Sequence, residues 1–496
     1  MPHDAHPIPR HSRLQQRIFV LCWFAYVFAY LLRMNLAVAI PAMRAGEGYT
    51  NTQLGMLTSV FFLTYTIGLL LSGYIGDRVR SKVLLTVGLT VSAGCNLGCA
   101  FSYGLPPLFL FWGINGLAQS MLWGPLMRTL SLWFDPKSLR RISFYMTFCA
   151  VFGYAASWSL ASVLSTHINW RAAFFVPALL VIAFTILLLC AFHSEPPLAV
   201  RDAIDAASAL GDPSVEGSSP PATTDSTAQN QLSATQLSDA GSPDMSTMAV
   251  EGNQRCDVSS VDAPSTLSTP ADASSPAAPV PAKRLSLPAY LRHILLPILF
   301  FAAAASGMIR EGIGVWMPTL LQTSGLFNPD ALWLPLVIIP GINLLGVLLV
   351  QWILRRMKFH CGRASLLCFG LITCLAAVLA ILGGRSAGLA LVLMVLLLAS
   401  TYGMAQIFDS LLPFQYAAHD RVAFTAGLLD CCIYCGAALS GTVSGMLSDG
   451  YTWDTVYWFW LAGAVVGLAA SAVWTLWIRR RVKQAKQAAD SAPSAN

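Results

Sequence analysis

The sequence predicts an all-α membrane protein with twelve transmembrane helices in two similar six-helix halves. Three observations predict it: a charge-poor composition, the spacing of the apolar blocks, and a motif that recurs in the first span of each half. Of 496 residues, 55% are hydrophobic and 11% charged, against roughly 25% charged in soluble domains. A soluble chain of this size could not keep so apolar a surface in water. The apolar residues fall in blocks long enough to cross a bilayer, which takes about 20 residues of helix. Hydropathy, punctuated by turn residues and charges, puts spans near 16–42, 53–75, 82–102, 105–134, 141–165 and 170–193. A second set follows near 292–322, 330–355, 362–384, 387–417, 421–448 and 453–479. The first apolar stretch, Ile18 to Ile40, is too long for a signal-peptide core and ends in no small-residue cleavage site. It is expected to be retained as the first span.

The expected organisation is a tail at 1–17, a six-helix half at 18–193, a linker at 194–284, a second half at 285–479 and a tail at 480–496. From Ser194 to Ala282 the chain is rich in Ser, Thr, Ala, Pro, Asp and Gln, with almost no aromatics. Such a segment buries too little apolar surface to offset its ordering entropy, so a disordered linker is expected. An even number of crossings puts both termini on one side. Loops on that side carry Arg78, Arg80, Lys82, Lys137, Arg140, Arg141, Arg355, Arg356, Lys358, Arg363 and Arg421, and the last span is followed by Arg479, Arg480 and Arg481. The opposite loops offer Arg44, Arg171 and Arg385. By the positive-inside rule, termini and linker face the cytoplasm, and a multi-pass protein of the cell (inner) membrane is expected. The formal charge of +6 is this asymmetry and calls for no nucleic-acid partner. The twelve cysteines sit mostly within apolar blocks; Cys431, Cys432 and Cys435 read as small packing residues.

The recurring motif supports two halves. Span 1 reads Arg33-Met-Asn-Leu-Ala-Val-Ala-Ile-Pro41, and span 7 reads Arg310-Glu-Gly-Ile-Gly-Val-Trp-Met-Pro318. Asn169-Trp170-Arg171 opens span 6, and Thr452-Trp453-Asp454 opens span 12. Parallel repeats about an axis normal to the membrane, with the site at the midplane between halves, point to a major facilitator fold with pseudo-two-fold symmetry.

Charges inside the spans need a reason. An Arg at mid-helix costs about 2.5–3.5 kcal/mol on insertion scales, so Arg33 and Arg310 together cost roughly 5–7 kcal/mol. Two guanidiniums from opposite halves, facing a watery cavity, would grip an anion through their planar forks; snorkelling or a structural ion pair is the alternative. Tyr26, Tyr30 and Arg33 are spaced i, i+4 and i+7 and form one helical stripe. Three acids also lie in spans. Asp409 shares a face with Tyr402, and Asp430 with Tyr434; each acid is a proton carrier or a charge balance for a nearby Arg. Glu311, rotated about 100° from Arg310, is expected to leave the surface that Arg310 lines. No P-loop, dinucleotide fingerprint, metal-ligand cluster or nucleophile–base pair stands out, so no cofactor, metal or enzyme activity is expected.

Gly73-Tyr-Ile-Gly-Asp77-Arg78-Val-Arg80-Ser-Lys82, between spans 2 and 3, resembles the signature loop of the major facilitator superfamily, a latch between conformations; its second Gly is missing here. Three further pieces are Tyr30-Leu-Leu-Arg33-x-Asn35 through Pro41, Trp123-Gly-Pro-x-x-Arg128-Thr with Trp133-Phe134, and Arg310-x-Gly312-Ile313-x-x-Trp316-x-Pro318-Thr319. With these the chain resembles the organophosphate:phosphate antiporter branch, the glycerol-3-phosphate and hexose-6-phosphate transporters, over everything but the linker. The resemblance implies alternating access by rocking of two six-helix halves, with the arginines at positions 33 and 310 holding the phosphate. It implies that Tyr26, Tyr30, Tyr65, Tyr402 and Tyr434 surround the cavity. Met34, Leu69 and Ala150 stand where members of that branch carry basic groups. A compact phosphate dianion then finds less compensation, and a monoanion, carboxylate, zwitterion or proton-coupled cycle gains ground.

The expected function is secondary active transport of a small anionic metabolite, an organophosphate or organic acid, by a monomer in the bilayer, with phosphate or a proton as counter-ion. Two alternatives stand beside it: a proton-coupled organic-acid symporter of the anion:cation symporter type, and a transporter-like membrane sensor of sugar phosphates.

Overall fold

The computed structural model describes residues 10–76, 78–198, 200–201, 291, 296–357, 360–408, 412 and 422–490, and these form helices and their connections without a strand. The first half comprises α1 (Arg10–Leu31), α2 (Asn35–Glu47), α3 (Asn51–Gly76), α4 (Ser81–Ala100), α5 (Leu105–Gln119), α6 (Trp123–Trp133), α7 (Pro136–His167) and α8 (Ala172–Ala191). The second comprises α9 (Leu296–Thr323), α10 (Trp333–Arg356), α11 (Cys361–Leu382), α12 (Ala387–Gln406), α13 (Val422–Gly450) and α14 (Trp453–Asp490). Eleven helical stretches among the described residues are long and apolar enough to cross a membrane, with α1 and α2 counted as one. The remaining span is α5 with α6. Apolar side chains such as Ile67, Leu110, Leu345 and Ile381 are exposed on the outer surface, as a hydrocarbon solvent requires.

Two spans expected to be continuous are broken. The first is interrupted at Leu32–Met34, which ends the expected single stripe from Tyr26 to Arg33. Pro41 lies inside α2 and is not the cause. Side chains from neighbouring helices have taken over the backbone bonding instead. The Leu32 carbonyl accepts from Asn96 Nδ2 at 3.1 Å and Asn115 Nδ2 at 2.9 Å. Its usual helical donor, the Leu36 amide, turns to Asn35 Oδ1 at 3.1 Å. The Ala29 carbonyl accepts from Gln119 Nε2 at 3.1 Å, and Asn35 Nδ2 reaches Asn96 Oδ1 at 2.9 Å and the Ala173 carbonyl at 3.0 Å. These amides are almost fully buried, so each unmade bond would carry its full desolvation cost. The polar cluster therefore holds a particular break in place. The fourth span breaks after Gln119, where the amides of Met121 and Leu122 bond three residues back. Pro125, which lacks an amide hydrogen, sits in the first turn of α6, where none is needed.

Helix α14 continues through the expected tail as far as Asp490, as its Ala, Gln, Lys and Arg content favours. Beyond residue 193, Ser194 Oγ accepts from the Lys82 amide at 2.9 Å and Val200 is buried on the first-half core. From 202 to 284 the expected linker lies outside the described residues.

The halves meet as an exchange about a two-fold axis would have it. Helix α3 packs on α13 and α7 on α10, pairs that the exchange interconverts, while α2 packs on α9, its own counterpart. The α3–α13 seam lies on the side opposite the termini and is built from glycines and small hydroxyls. A Cβ on Gly55 would stand 2.2 Å from the Gly441 carbonyl oxygen, and one on Gly445 2.3 Å from that of Asn51. Ser59 Oγ donates to the Ala438 carbonyl and accepts from the Thr442 amide at 3.0 Å and its hydroxyl at 2.7 Å. At the end of the seam the Asp449 carboxylate accepts from the amides of Asn51 (3.1 Å) and Thr52 (2.6 Å) and from Thr52 Oγ1 (2.8 Å). An acid of the second half thus caps the first turn of α3 in the other half, where the helix dipole favours negative charge. Nearby, Arg171 Nη2 pairs with Glu47 Oε1 at 3.1 Å, tying the end of α2 to the start of α8.

Candidate functional site

The break in the first span positions Arg33. Leaving the helical register there, the side chain enters the inter-half region with 9% of its surface exposed. Its guanidinium carbon lies 4.9 Å from the ring centre of Tyr65, 5.1 Å from Tyr434, 5.5 Å from Phe61, 5.8 Å from Phe62 and 6.0 Å from Tyr30. Aromatic faces carry the negative lobe of the ring quadrupole, so this cage stabilises a cation away from water. It supplies few hydrogen-bond acceptors, and Arg33 Nε is buried with no partner among the described residues. Tyr434 comes from α13, so the cage closes across the two halves.

Arg310 enters from α9, in which every residue from Ala305 to Leu321 is buried. Its guanidinium carbon is 5.7 Å from the ring centre of Tyr402, and its Nε donates to Glu311 Oε1 at 3.0 Å. This corrects the expectation that Glu311 turns away. Backbone rotation separates adjacent side chains, yet α9 has no outward face in this stretch and two long side chains reach around the helix to meet. The two arginine environments are joined by rings: Tyr30 lies 5.2 Å from Tyr154, and Tyr154 6.0 Å from Tyr402. Tyr26 extends the chain, 5.3 Å from Tyr30 and 4.6 Å from Trp123. Tyr65 and Tyr434 are 4.7 Å apart. The space left beside Arg33 is about 10 Å3, lined by Tyr26, Ala29, Tyr30, Arg33, Tyr65, Gln119 and Leu122, room for about one water.

The tyrosines singled out in the sequence are therefore brought together. Sequence reasoning missed Tyr154, whose i, i+4 pairing with Trp158 inside a span was an available signal. It also missed Asn96, Asn115 and Gln119, buried amides on two different helices. Asp430 is half-buried on α13, one turn before Tyr434. Asp409 and Asp77 lie outside the described residues. Gly73 falls in the last turn of α3, and Arg78 is exposed in the turn after it. Met34 is buried, and Leu69 and Ala150 are half-buried. Cys431 packs with its Sγ 3.7 Å from the Thr66 carbonyl oxygen.

A family model described as the Major Facilitator Superfamily matches residues 22–429. The chain is 31% identical over 184 residues to a probable hexose phosphate transport protein of Chlamydia trachomatis serovar D, covering 37% of this chain and 40% of that one. It is 26% identical over 191 residues to the glycerol-3-phosphate transporter of Bacillus subtilis, covering 38% and 43%. It is 24% identical over 206 residues to the membrane sensor protein UhpC of Salmonella typhimurium, covering 39% and 44%. The chain thus spans about two fifths of the length of these relatives. Among solved structures, it superposes on a bacterial homolog of the human lysosomal transporter Spinster, inward-facing and occupied, with TM-score 0.63 at 12% identity, covering 96% of this chain and 98% of that one. The nucleoside transporter NupG gives TM-score 0.59 at 12% identity, covering 93% and 99%. At such identity these likenesses show the fold alone.

Proposed function

Since the chain belongs to the Major Facilitator Superfamily, we propose that it carries a small anionic metabolite, an organophosphate or an organic acid, across the membrane by alternating access. One observation carries this reading: Arg33 and Arg310, from opposite halves, lie on one connected set of tyrosines in the interior. Two buried guanidiniums cost roughly 5–7 kcal/mol on insertion and give packing nothing that Leu would not. An anion bridging them would draw the halves together. The space beside Arg33, lined by first-half side chains, is too small for a phosphate ester, so admission requires the groups around Arg33 to move apart. The α3–α13 seam closes one side, and its release would open the other route. With the termini in the cytoplasm of a cell (inner) membrane, that seam faces outward. Arg33, Arg310, Tyr26, Tyr30, Tyr65, Tyr402 and Tyr434 form the substrate contacts, and Gly73, Asp77 and Arg78 belong to the conformational loop. Asp409 and Asp430 are the candidates for proton coupling, phosphate exchange being the other way to drive the cycle.

The test is uptake of labelled phosphate and phosphate esters into proteoliposomes containing the purified monomer. Arg33→Lys and Arg310→Lys keep charge and lose the bidentate fork; each is expected to weaken phosphate-ester binding by about tenfold or more. Full affinity in both variants would refute the anion site. A sensor reading is favoured by the similarity to UhpC. Ligand binding without flux in the same vesicles would select it over transport.

A further inference from the structure

We infer that Glu311 is a specificity-determining residue of this site, and that the preferred substrate is a phosphate or carboxylate that also bears an ammonium group. This rests on the anion-site reading above and names the class of anion. Glu311 is 4% exposed and its carboxylate accepts from Arg310 Nε at 3.0 Å. A buried ion pair is poor value as a stabilising device, since desolvation offsets the attraction, and apolar residues of like volume hold a core as well. A carboxylate beside an anion-binding guanidinium is worse still for a simple anion, because it occupies the cation and repels the incoming charge. Glu311 reaches Arg310 on its own helix, the Arg310 guanidinium carbon stands 5.7 Å from the ring centre of Tyr402 on α12, and that ring lies 6.0 Å from Tyr154 on α7, across the two halves. Asp430, a second acid, lies half-buried on α13 one turn before Tyr434. The site therefore holds both signs of charge within one ring of tyrosines.

A substrate with both signs matches this layout. Its anionic group takes the guanidinium fork, and its ammonium donates to the carboxylate that loses part of its hold on Arg310. Both buried charges of the protein stay partnered, whereas a simple anion leaves Glu311 beside a like charge.

The experiment compares 2-aminoethyl phosphate with propyl phosphate, nearly the same shape without the ammonium, by titration calorimetry on the purified full chain. The unmodified protein is expected to bind the amino ester at least about tenfold more tightly, the worth of one charge-assisted hydrogen bond. Glu311→Gln is expected to tighten propyl phosphate, weaken 2-aminoethyl phosphate and erase the preference; Glu311→Asp is expected to keep it. Equal affinities in the unmodified protein, unaltered by Glu311→Gln, overturn this inference and leave the anion site standing. Binding of neither ester, nor of inorganic phosphate, overturns the anion site itself, and this inference with it. Should Glu311→Gln not fold, the comparison on the unmodified chain still decides.

Discussion

Replacing Asp449 with Ala should release the seal between the halves without unfolding either. The carboxylate accepts three hydrogen bonds from Asn51 and Thr52, which belong to the other half. Losing an N-cap to Ala costs about 0.5–2 kcal/mol, and the interaction of an exposed charge with the helix dipole is about 0.3–1 kcal/mol. These overlap, because both describe one carboxylate over one helix end, so they are not summed. A net loss of about 1–2 kcal/mol changes the ratio of sealed to unsealed protein by about 5–30-fold. Asp449→Asn keeps an acceptor and loses the charge, so its effect should be limited to the dipole contribution, about 2–5-fold. Spin labels at Ala45 and Tyr451, exposed positions in opposite halves, report the separation by double electron–electron resonance. The population at short distance should fall in the order parent, Asn, Ala. A distance distribution in Asp449→Ala identical to the parent's, or a larger shift for Asn than for Ala, would refute the capping account.

Gly55→Ala should favour the unsealed state in the same measurement, since its Cβ would meet the Gly441 carbonyl oxygen at 2.2 Å across the interface. Asn115→Leu leaves the Leu32 carbonyl with Asn96 alone and removes the acceptor of Ser92 Oγ; thermal melting should show a loss of about 1–3 kcal/mol. Because that carbonyl belongs to the break that aims Arg33, phosphate-ester affinity should fall too. Replacing 202–284 with a short Gly/Ser segment should leave uptake intact, since that stretch has the composition of a linker. Asp430→Asn should keep exchange and weaken pH-driven accumulation where Asp430 is the proton carrier; undiminished accumulation assigns it a structural role.

The number of spans, their grouping into halves and the two arginines were legible in the sequence because bilayer physics writes them in composition. A block of about 20 apolar residues has few alternatives, and an Arg inside one is conspicuous. The two breaks were not legible. Hydropathy averages over a window and is blind to backbone bonding, and the break at Leu32–Met34 depends on Asn96, Asn115 and Gln119, which lie 61 to 90 positions away along the chain from their acceptors or partner. Glu311 was misjudged for a related reason. Helical geometry correctly gave the angle between adjacent positions, but its use assumed that α9 has an outward face, and from Ala305 to Leu321 it has none. Tyr65, Tyr402 and Tyr434 were placed through a resemblance rather than through periodicity, because the cage around Arg33 is assembled from separate helices.

The length of α14 makes the protein easier to see. The helix spans 38 residues, Trp453 to Asp490, or about 57 Å at 1.5 Å per residue, against a hydrocarbon layer about 30 Å thick. Its apolar stretch ends at Arg481, whose guanidinium carbon sits 4.0 Å from the Trp477 ring centre. The two or more turns that follow continue the same helix past the apolar stretch. A soluble helical domain spliced in register onto that helix would inherit its direction rather than swing on a tether. For a 53.4 kDa chain, such a fiducial would let particle images be aligned, and each conformational state be sorted by the angle the marker makes with the first half.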